Sequence, residues 1–143
     1  MRILFFCYLP NPHPNAAWRR IEFFAEYFKS KGHKVVIAGA FSLTTLDKAG
    51  STKSGGIDVI NVTPVILMAN VFSLIFNTVS SILTSILPFV LVRPNVIVIS
   101  VPPGETALGS YIAAKLFGIK VVLDYRDEWE DSVISIAKSR VHK

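Results

Sequence analysis

The sequence is poor in cysteine. Its 143 residues include one cysteine, Cys7, which lies in the first apolar run and has no partner for a disulfide within the chain. This fits a reducing compartment, and we expect Cys7 to be a small buried side chain rather than a nucleophile. Because 51% of the residues are hydrophobic, a chain of this length can bury a substantial core without disulfides or metals.

A compact basic block is also missing. The net charge is +5, but the basic residues are scattered and are not interleaved with aromatic residues, which excludes a typical nucleic-acid interface. A basic chain with very apolar segments suits an anionic membrane surface better, and the simpler alternative is that Lys and Arg solvate helix ends. The start of the chain has no small-residue cleavage site, so residues 3–8 predict a buried strand instead of a signal peptide.

Apolar runs alternate with helical patterns along the chain. Strands are predicted over residues 3–8, 34–39, 57–62, 95–100 and 120–124, with an exposed loop over 40–56. Helices are predicted before Gly32, within 65–91, over 105–117 and after residue 127. This order predicts an α/β domain with a Rossmann-like, doubly wound parallel sheet.

No charged residue occurs between Asp58 and Arg93. Polar residues recur there at spacings of three and four, which marks one side of a helix within 65–91: Asn70, Ser73, Asn77, Ser80, Ser81, Thr84 and Ser85. The helix has more apolar surface than one face of a sheet covers. The excess can meet a partner domain, lie in a membrane interface or span a bilayer. A span would separate two strands of one sheet, and the other two alternatives stay open.

Three loops follow the carboxyl ends of predicted strands, where open α/β sheets bind ligands: residues 9–15, 101–105 and 125–131. The first loop contains no glycine, so a dinucleotide-binding fingerprint is absent. It ends at a helix N-terminus, whose free N–H groups favour an anion or sugar hydroxyls. Its candidate binding residues are His13, Asn15 and Arg19, with Arg20 as a further phosphate clamp. The alternatives are solvent exposure for His13, helix capping by Asn15 and a solvated helix face for the arginines.

The second loop offers Pro103, Gly104 and Glu105 as binding residues. Proline fixes the chain as it leaves the strand, and glycine permits a ligand to approach the backbone closely. Glu105 either contacts a ligand or simply stabilises the start of the next helix through the helix dipole.

The third loop combines charge and aromatic residues. Five carboxylates surround Arg126, those of Asp124, Asp127, Glu128, Glu130 and Asp131. Arg126 can pair with one carboxylate and leave another facing the cleft, while Trp129 can stack on a sugar ring. The alternative is an acidic helix N-terminus, and the spacing specifies no metal site.

Three segments together resemble a known family. Residues 1–39 contain an MRILFF strand, a Pro-rich loop, a helix with Arg and the sequence KGHKVVIAG, and they look like the opening of glycosyltransferase family 4 enzymes. The sequence RPNVIVIS followed by Pro102 and Pro103 is similar to the strand and turn RPDVV-SxPP of that family. The sequence VLDYRDEWE resembles its xRDLWP segment.

The resemblance implies the N-terminal, acceptor-binding half of a GT-B enzyme, with residues 1–143 as one Rossmann-like domain and the donor-binding domain outside this chain. It implies retaining transfer of a hexose-type sugar from a nucleotide sugar to a glycan or lipid-linked acceptor, with no cofactor and no metal. Asp127 matches the acid of the RD-W motif and would activate the acceptor, with Arg126 as its structural partner. One departure is His13-Pro14-Asn15, where many members carry a Gly-Gly pair.

On this basis the chain alone is expected to be inactive without its C-terminal domain or a partner subunit. Its expected location is cytoplasmic, peripheral at the inner face of the membrane through residues 65–91. A second hypothesis is a non-catalytic, membrane-docked subunit that recruits a catalytic partner, as in split glycosyltransferases. A third, an unrelated cofactor-binding Rossmann protein, is disfavoured by the glycine-free first loop.

Overall fold

The computed structural model describes residues 1–10, 16–43, 50–67, 70–101 and 104–126. Within them lie strands β1 (Arg2–Pro10), β2 (Lys34–Ser42), β3 (Gly50–Ser54), β4 (Ile57–Val65), β5 (Val96–Val101) and β6 (Lys120–Tyr125), and helices α1 (Ala16–Ser30), α2 (Val71–Val92) and α3 (Gly104–Leu116). The strands form one sheet in the order β3-β4-β2-β1-β5-β6, parallel except for β3. The predicted α/β class is confirmed, and the arrangement is compatible with a Rossmann-like fold.

Strand β1 lies in the middle of the sheet and is covered on both faces. Ile3, Phe5 and Cys7 point to the face packed by α1, through residues such as Trp18 and Ile21. The alternate residues of β1 point to the other face, which α2 and α3 cover. This explains the continuous apolar run of residues 3–8, because a strand buried on both faces has no solvent side to mark with polar residues.

The predicted loop over 40–56 is wrong for part of its length. Residues 40–42 continue β2, and Gly50–Ser54 forms β3, which pairs antiparallel with β4. Gly55 and Gly56 connect the two strands, with φ angles of 55° and 74°. Positive φ at both central residues is typical of the tight turn that joins two antiparallel strands.

Helix α2 turns its polar side toward the protein. It begins at a capping box in which Asn70 accepts from Ser73 N, and it ends at Arg93, which has a left-handed φ of 48°. The polar residues of the predicted stripe lie mostly against the rest of the protein: Ser73, Asn77, Ser80, Ser81 and Ser85 are all buried. The large apolar side chains of the opposite side are exposed. An amphipathic helix of a soluble domain normally has the reverse arrangement.

Hydrogen bonds to the end of β4 hold this polar side in place. The side chain of Asn77 bonds both backbone groups of Ile66, accepting from its N–H at 2.8 Å and donating to its carbonyl at 3.2 Å. Ser80 Oγ donates to Pro64 O at 3.0 Å. The end of β4 therefore satisfies the side chains of Asn77 and Ser80, which otherwise would be costly to bury.

Candidate functional site

The sheet has a switch in strand order between β1 and β5. The chain runs from β1 to β2 on one side, whereas β5 and β6 extend the sheet on the other side of β1. Open α/β sheets bind ligands at the carboxyl ends of the strands beside such a switch. The three loops singled out from the sequence follow β1, β5 and β6, which are adjacent strands. The candidate loops therefore all start where neighbouring parallel strands finish, which we call the carboxyl edge of the sheet.

An ion pair joins α1 to β6 at this edge. The guanidinium of Arg20 contacts both carboxylate oxygens of Asp124, with Nη2 at 2.9 Å and Nε at 3.2 Å. The Asp124 side chain is only 13% exposed, whereas that of Arg20 is 49% exposed. Arg20 also lies over the ring of Phe24, 5.3 Å from its centroid. The pair fixes the start of α1 against the end of β6, directly before the third loop, and leaves part of the guanidinium accessible.

Arg19, the arginine proposed as a binding residue, lies in a more open position. Its side chain is 76% exposed and its nearest acidic partner is Glu22, at 3.8 Å. Glu22 in turn accepts a 2.7 Å hydrogen bond from Ser54 Oγ in β3. Of the two neighbouring arginines, Arg20 is the one that contacts the end of β6, directly before the third loop.

Gly104 and Glu105 open helix α3. A Cβ built on Gly104 would have no neighbour within 4 Å among the described residues, so there is room for a ligand beside the helix N-terminus. Glu105 lies in the first turn of the helix, where a carboxylate interacts favourably with the helix dipole. The geometry is compatible with both interpretations of Glu105.

Ser100 was not predicted as a site residue. It is buried near the carboxyl end of β5, directly across from Asp124 on β6. Its Oγ has no hydrogen-bond partner among the described residues. Buried hydroxyls are normally bonded, so this oxygen has unused capacity for a ligand or for water. The signal in the sequence was a hydroxyl residue that ends an apolar strand, just before the Pro-Pro-Gly turn.

The second and third loop segments are tied together at their start. The backbone N–H of Arg126 donates to Val101 O at 3.0 Å. This contact holds the residue before Asp127 beside the end of β5. Five of the predicted site residues lie outside the described part of the chain: His13, Asn15, Pro103, Asp127 and Trp129.

An apolar groove lies beside the ion pair, on the α1 face of β5 and β6. It has a volume of about 400 Å³ and is lined by side chains such as Phe24, Phe28, Val98 and Leu123, with Asp124 at one end. Its walls are almost entirely apolar, so it can accept hydrocarbon but offers few groups for a polar ligand.

Within the described segments no cluster of three or more His, Cys, Asp or Glu side chains could hold a metal ion. The chain matches no known family model, and no curated protein is similar to it.

Proposed function

We propose that this chain is the acceptor-side, Rossmann-like half of a GT-B glycosyltransferase. One observation carries the proposal. The three segments that resemble glycosyltransferase family 4 include the loops after β1, β5 and β6, three adjacent strands at the switch in strand order. Ligands of open α/β sheets bind at this position, so the motif residues start from the place where a substrate would be held.

The proposed reaction moves a hexose-type sugar from a nucleotide sugar to a hydroxyl of a glycan or lipid-linked acceptor. The acceptor oxygen bonds to the anomeric carbon, the bond from that carbon to the phosphate oxygen breaks, and the nucleoside diphosphate leaves with the electron pair. Configuration is retained. Asp127 is the residue to which we assign acceptor activation, by taking the proton of the attacking hydroxyl. No cofactor or metal is part of the proposal.

The described residues supply binding and positioning groups for this reaction. Arg20, half exposed and held by Asp124, offers N–H donors to a phosphate or a sugar oxygen. The hydroxyl of Ser100, which no described residue bonds, and Gly104, which no described atom approaches on its Cβ side, lie on the neighbouring strand and helix. We assign acceptor and sugar contacts to His13, Asn15, Arg19, Pro103, Glu105 and Trp129, with Arg126 as the partner of Asp127.

The donor nucleotide requires a second domain, so we propose that this chain acts with a C-terminal domain or a partner subunit and is inactive alone. The proposed location is the cytoplasmic face of a membrane. A second candidate is a membrane-docked, non-catalytic subunit that recruits a catalytic partner. The large exposed apolar face of α2 and α3 favours this candidate, because it provides a surface through which a subunit can attach to a membrane.

A transfer assay tests the proposal. The complete enzyme, or the chain reconstituted with its partner, is supplied with a panel of nucleotide sugars and a membrane lipid extract. Sugar should appear on an acceptor, and Asp127→Asn should reduce turnover by about 100-fold or more while the protein remains folded. The matched control is Asp131→Asn, which changes a neighbouring carboxylate of the same loop and should retain most activity.

Two outcomes contradict the proposal at different levels. Near-normal turnover of Asp127→Asn would remove Asp127 from the mechanism. No transfer from any donor by a folded, complete protein would reject sugar transfer and support the recruiting subunit.

A further inference from the structure

The outer side of α2 carries a continuous apolar line. Exposed side chains recur at intervals of three and four residues along its whole length: Phe72, Ile75, Val79, Leu83, Ile86 and Val90. Leu83, near the middle, is 64% exposed. This spacing normally marks the buried face of a helix. In this chain it marks the face that the described residues leave uncovered.

Helix α3 extends the same apolar surface. Both helices pack on one face of the sheet, α2 through Phe89 and Val92 and α3 through its alanines. The side of α3 away from the sheet exposes Leu108, Ile112 and Leu116. We call the combined exposed surface of α2 and α3 the outer apolar face.

The contact between α2 and α3 consists of small residues and hydroxyl groups. A Cβ added to Gly109 would overlap Ser81 Oγ and lie 2.6 Å from Thr78 O, so the helices touch at this glycine. Ser85 and Ser110 share a hydrogen bond of 2.6 Å between their hydroxyl oxygens. Close approach at glycine and hydroxyl bonds between helices are typical of helix pairs in membranes, where large apolar side chains point to lipid.

Basic residues border one end of this surface. Helices end and parallel strands begin at the same edge of the sheet, which places Arg93 after α2 and Lys115 in the last turn of α3 at this end of the surface. The acid at the start of β4, Asp58, is near Lys53 at 3.9 Å. Glu105, the acid of α3, lies in its first turn, at the opposite end of that helix. The edge is thus positive where it meets the apolar side chains.

We propose that the outer apolar face inserts into the interfacial region of an anionic lipid bilayer, with Arg93 and Lys115 among the lipid headgroups. A protein partner would be expected to meet a polar rim and hydrogen-bonding groups. The outer line of α2 offers neither, and no charge occurs from residue 59 to residue 92. An apolar surface with an adjoining basic border is the pattern of interfacial membrane binding.

The orientation follows from the packing of α2. By length and composition alone this helix could cross a membrane. However, its polar side bonds the end of β4, and its two ends connect β4 and β5, which belong to the same sheet. Only one side of α2 therefore meets lipid, and the helix lies along the membrane surface. This inference does not depend on sugar transfer.

Vesicle binding tests the inference. The chain, purified in mild detergent, is mixed with vesicles of phosphatidylcholine and phosphatidylglycerol, the detergent is removed, and bound protein is separated by flotation. The double variant Val79→Asp/Leu83→Asp should lower binding by more than about 10-fold while its circular dichroism is retained. The matched control is Phe23→Asp/Tyr27→Asp on α1, at the opposite face of the sheet, where Phe23 is 65% exposed. It should bind as the unmodified chain does.

A second double variant tests the basic residues at the end of the outer apolar face. Arg93→Gln with Lys115→Gln should weaken binding to these anionic vesicles on the order of 10-fold and leave the weaker binding to pure phosphatidylcholine unchanged. A dye attached at Leu83→Cys should become brighter on vesicle addition, whereas the same dye at Phe23→Cys should not.

Three results would overturn the proposal. One is failure of the unmodified, folded chain to float with anionic vesicles. Another is equal loss of binding in the α1 control, which would show non-specific adsorption. The third is a dimer that the α2 variant abolishes, with no vesicle binding, which would assign the face to a second copy of the chain.

Discussion

At the scale of single residues, Arg19 and Arg20 are adjacent in sequence but differ in their surroundings. Arg20 makes a bidentate contact with the largely buried carboxylate of Asp124, whereas Arg19 is exposed near Glu22. Arg20→Gln should therefore lower the free energy of unfolding by about 1 kcal/mol, a value discounted for the half-exposed guanidinium. Arg19→Gln, its matched control, should change it by less than about 0.5 kcal/mol. Urea unfolding measures both, and equal effects would contradict the distinction.

Tyr8 provides a pH-dependent test of the core. Its hydroxyl is buried and lies 3.4 Å from Ser85 Oγ. Burial raises the pKa of Tyr8 well above its ordinary value of 10.0, because the phenolate would lose its hydration. Above that ordinary pKa the unfolded chain releases this proton and the folded chain keeps it. Stability from this group is fully present below about pH 10 and decreases as the pH rises further.

The change Tyr8→Phe isolates this effect from the titration of lysines. We expect the free energy of unfolding, measured from about pH 8 to about pH 11, to fall more steeply with pH in the unmodified chain than in Tyr8→Phe. Above about pH 10 the two slopes should differ by up to about 1.4 kcal/mol per pH unit. Tyr27→Phe, at an exposed tyrosine of α1, is the matched control. Parallel pH profiles for the unmodified chain and Tyr8→Phe would show that Tyr8 ionises in the folded state.

At the scale of elements, the contact between α2 and α3 depends on Gly109. Gly109→Ala would force a methyl group against Ser81 and the backbone of α2, and should destabilise the protein by about 1 to 3 kcal/mol. Gly104→Ala, in the same helix, meets open space and should be neutral or stabilising by up to about 1 kcal/mol. Thermal or urea unfolding of the two variants compares them directly. A tolerated Gly109→Ala would mean that the helices are farther apart than the structure has them.

Strands and helices differed in how far the sequence could predict them. The five parallel strands were predicted from apolar segments, and for β1 and β2 the run is continuous because a strand buried on both faces has few other compositions available. Strand β3 was missed since GSTKS has no apolar alternation and pairs through its backbone at the sheet edge. The available signal was Gly55-Gly56, the residues of a tight turn.

The orientation of α2 was also beyond the sequence pattern. Periodicity revealed a polar and an apolar side but not which one faces the sheet. That choice depends on partners far along the chain, such as Ile66 for Asn77 and Ser110 for Ser85. The candidate site was likewise predictable only in part. Its loops were predicted from strand ends, whereas the contact of Arg20 with Asp124 spans 104 residues of sequence and required the fold.

At the scale of the whole molecule, the two proposals concern different surfaces. The candidate site lies at the carboxyl edge of the sheet, and the outer apolar face lies on one side of the same sheet. A surface-bound orientation of α2 would hold the carboxyl edge beside the bilayer and not in it. A lipid-linked acceptor could then reach the loops after β1, β5 and β6 without leaving the membrane.

This geometry predicts that membrane binding matters only for membrane-borne acceptors. In the complete enzyme, Val79→Asp/Leu83→Asp should reduce transfer to a lipid-linked acceptor in anionic vesicles by more than about 10-fold, because the enzyme loses its concentration at the surface. Transfer to a soluble glycan acceptor should be unchanged, since both substituted residues are exposed on the outer side of α2 and not at the strand ends that form the site. The control Phe23→Asp/Tyr27→Asp should preserve both activities. Equal loss with both acceptors would mean that α2 acts through the fold of the site, and unchanged transfer to the lipid acceptor would separate the apolar face from catalysis.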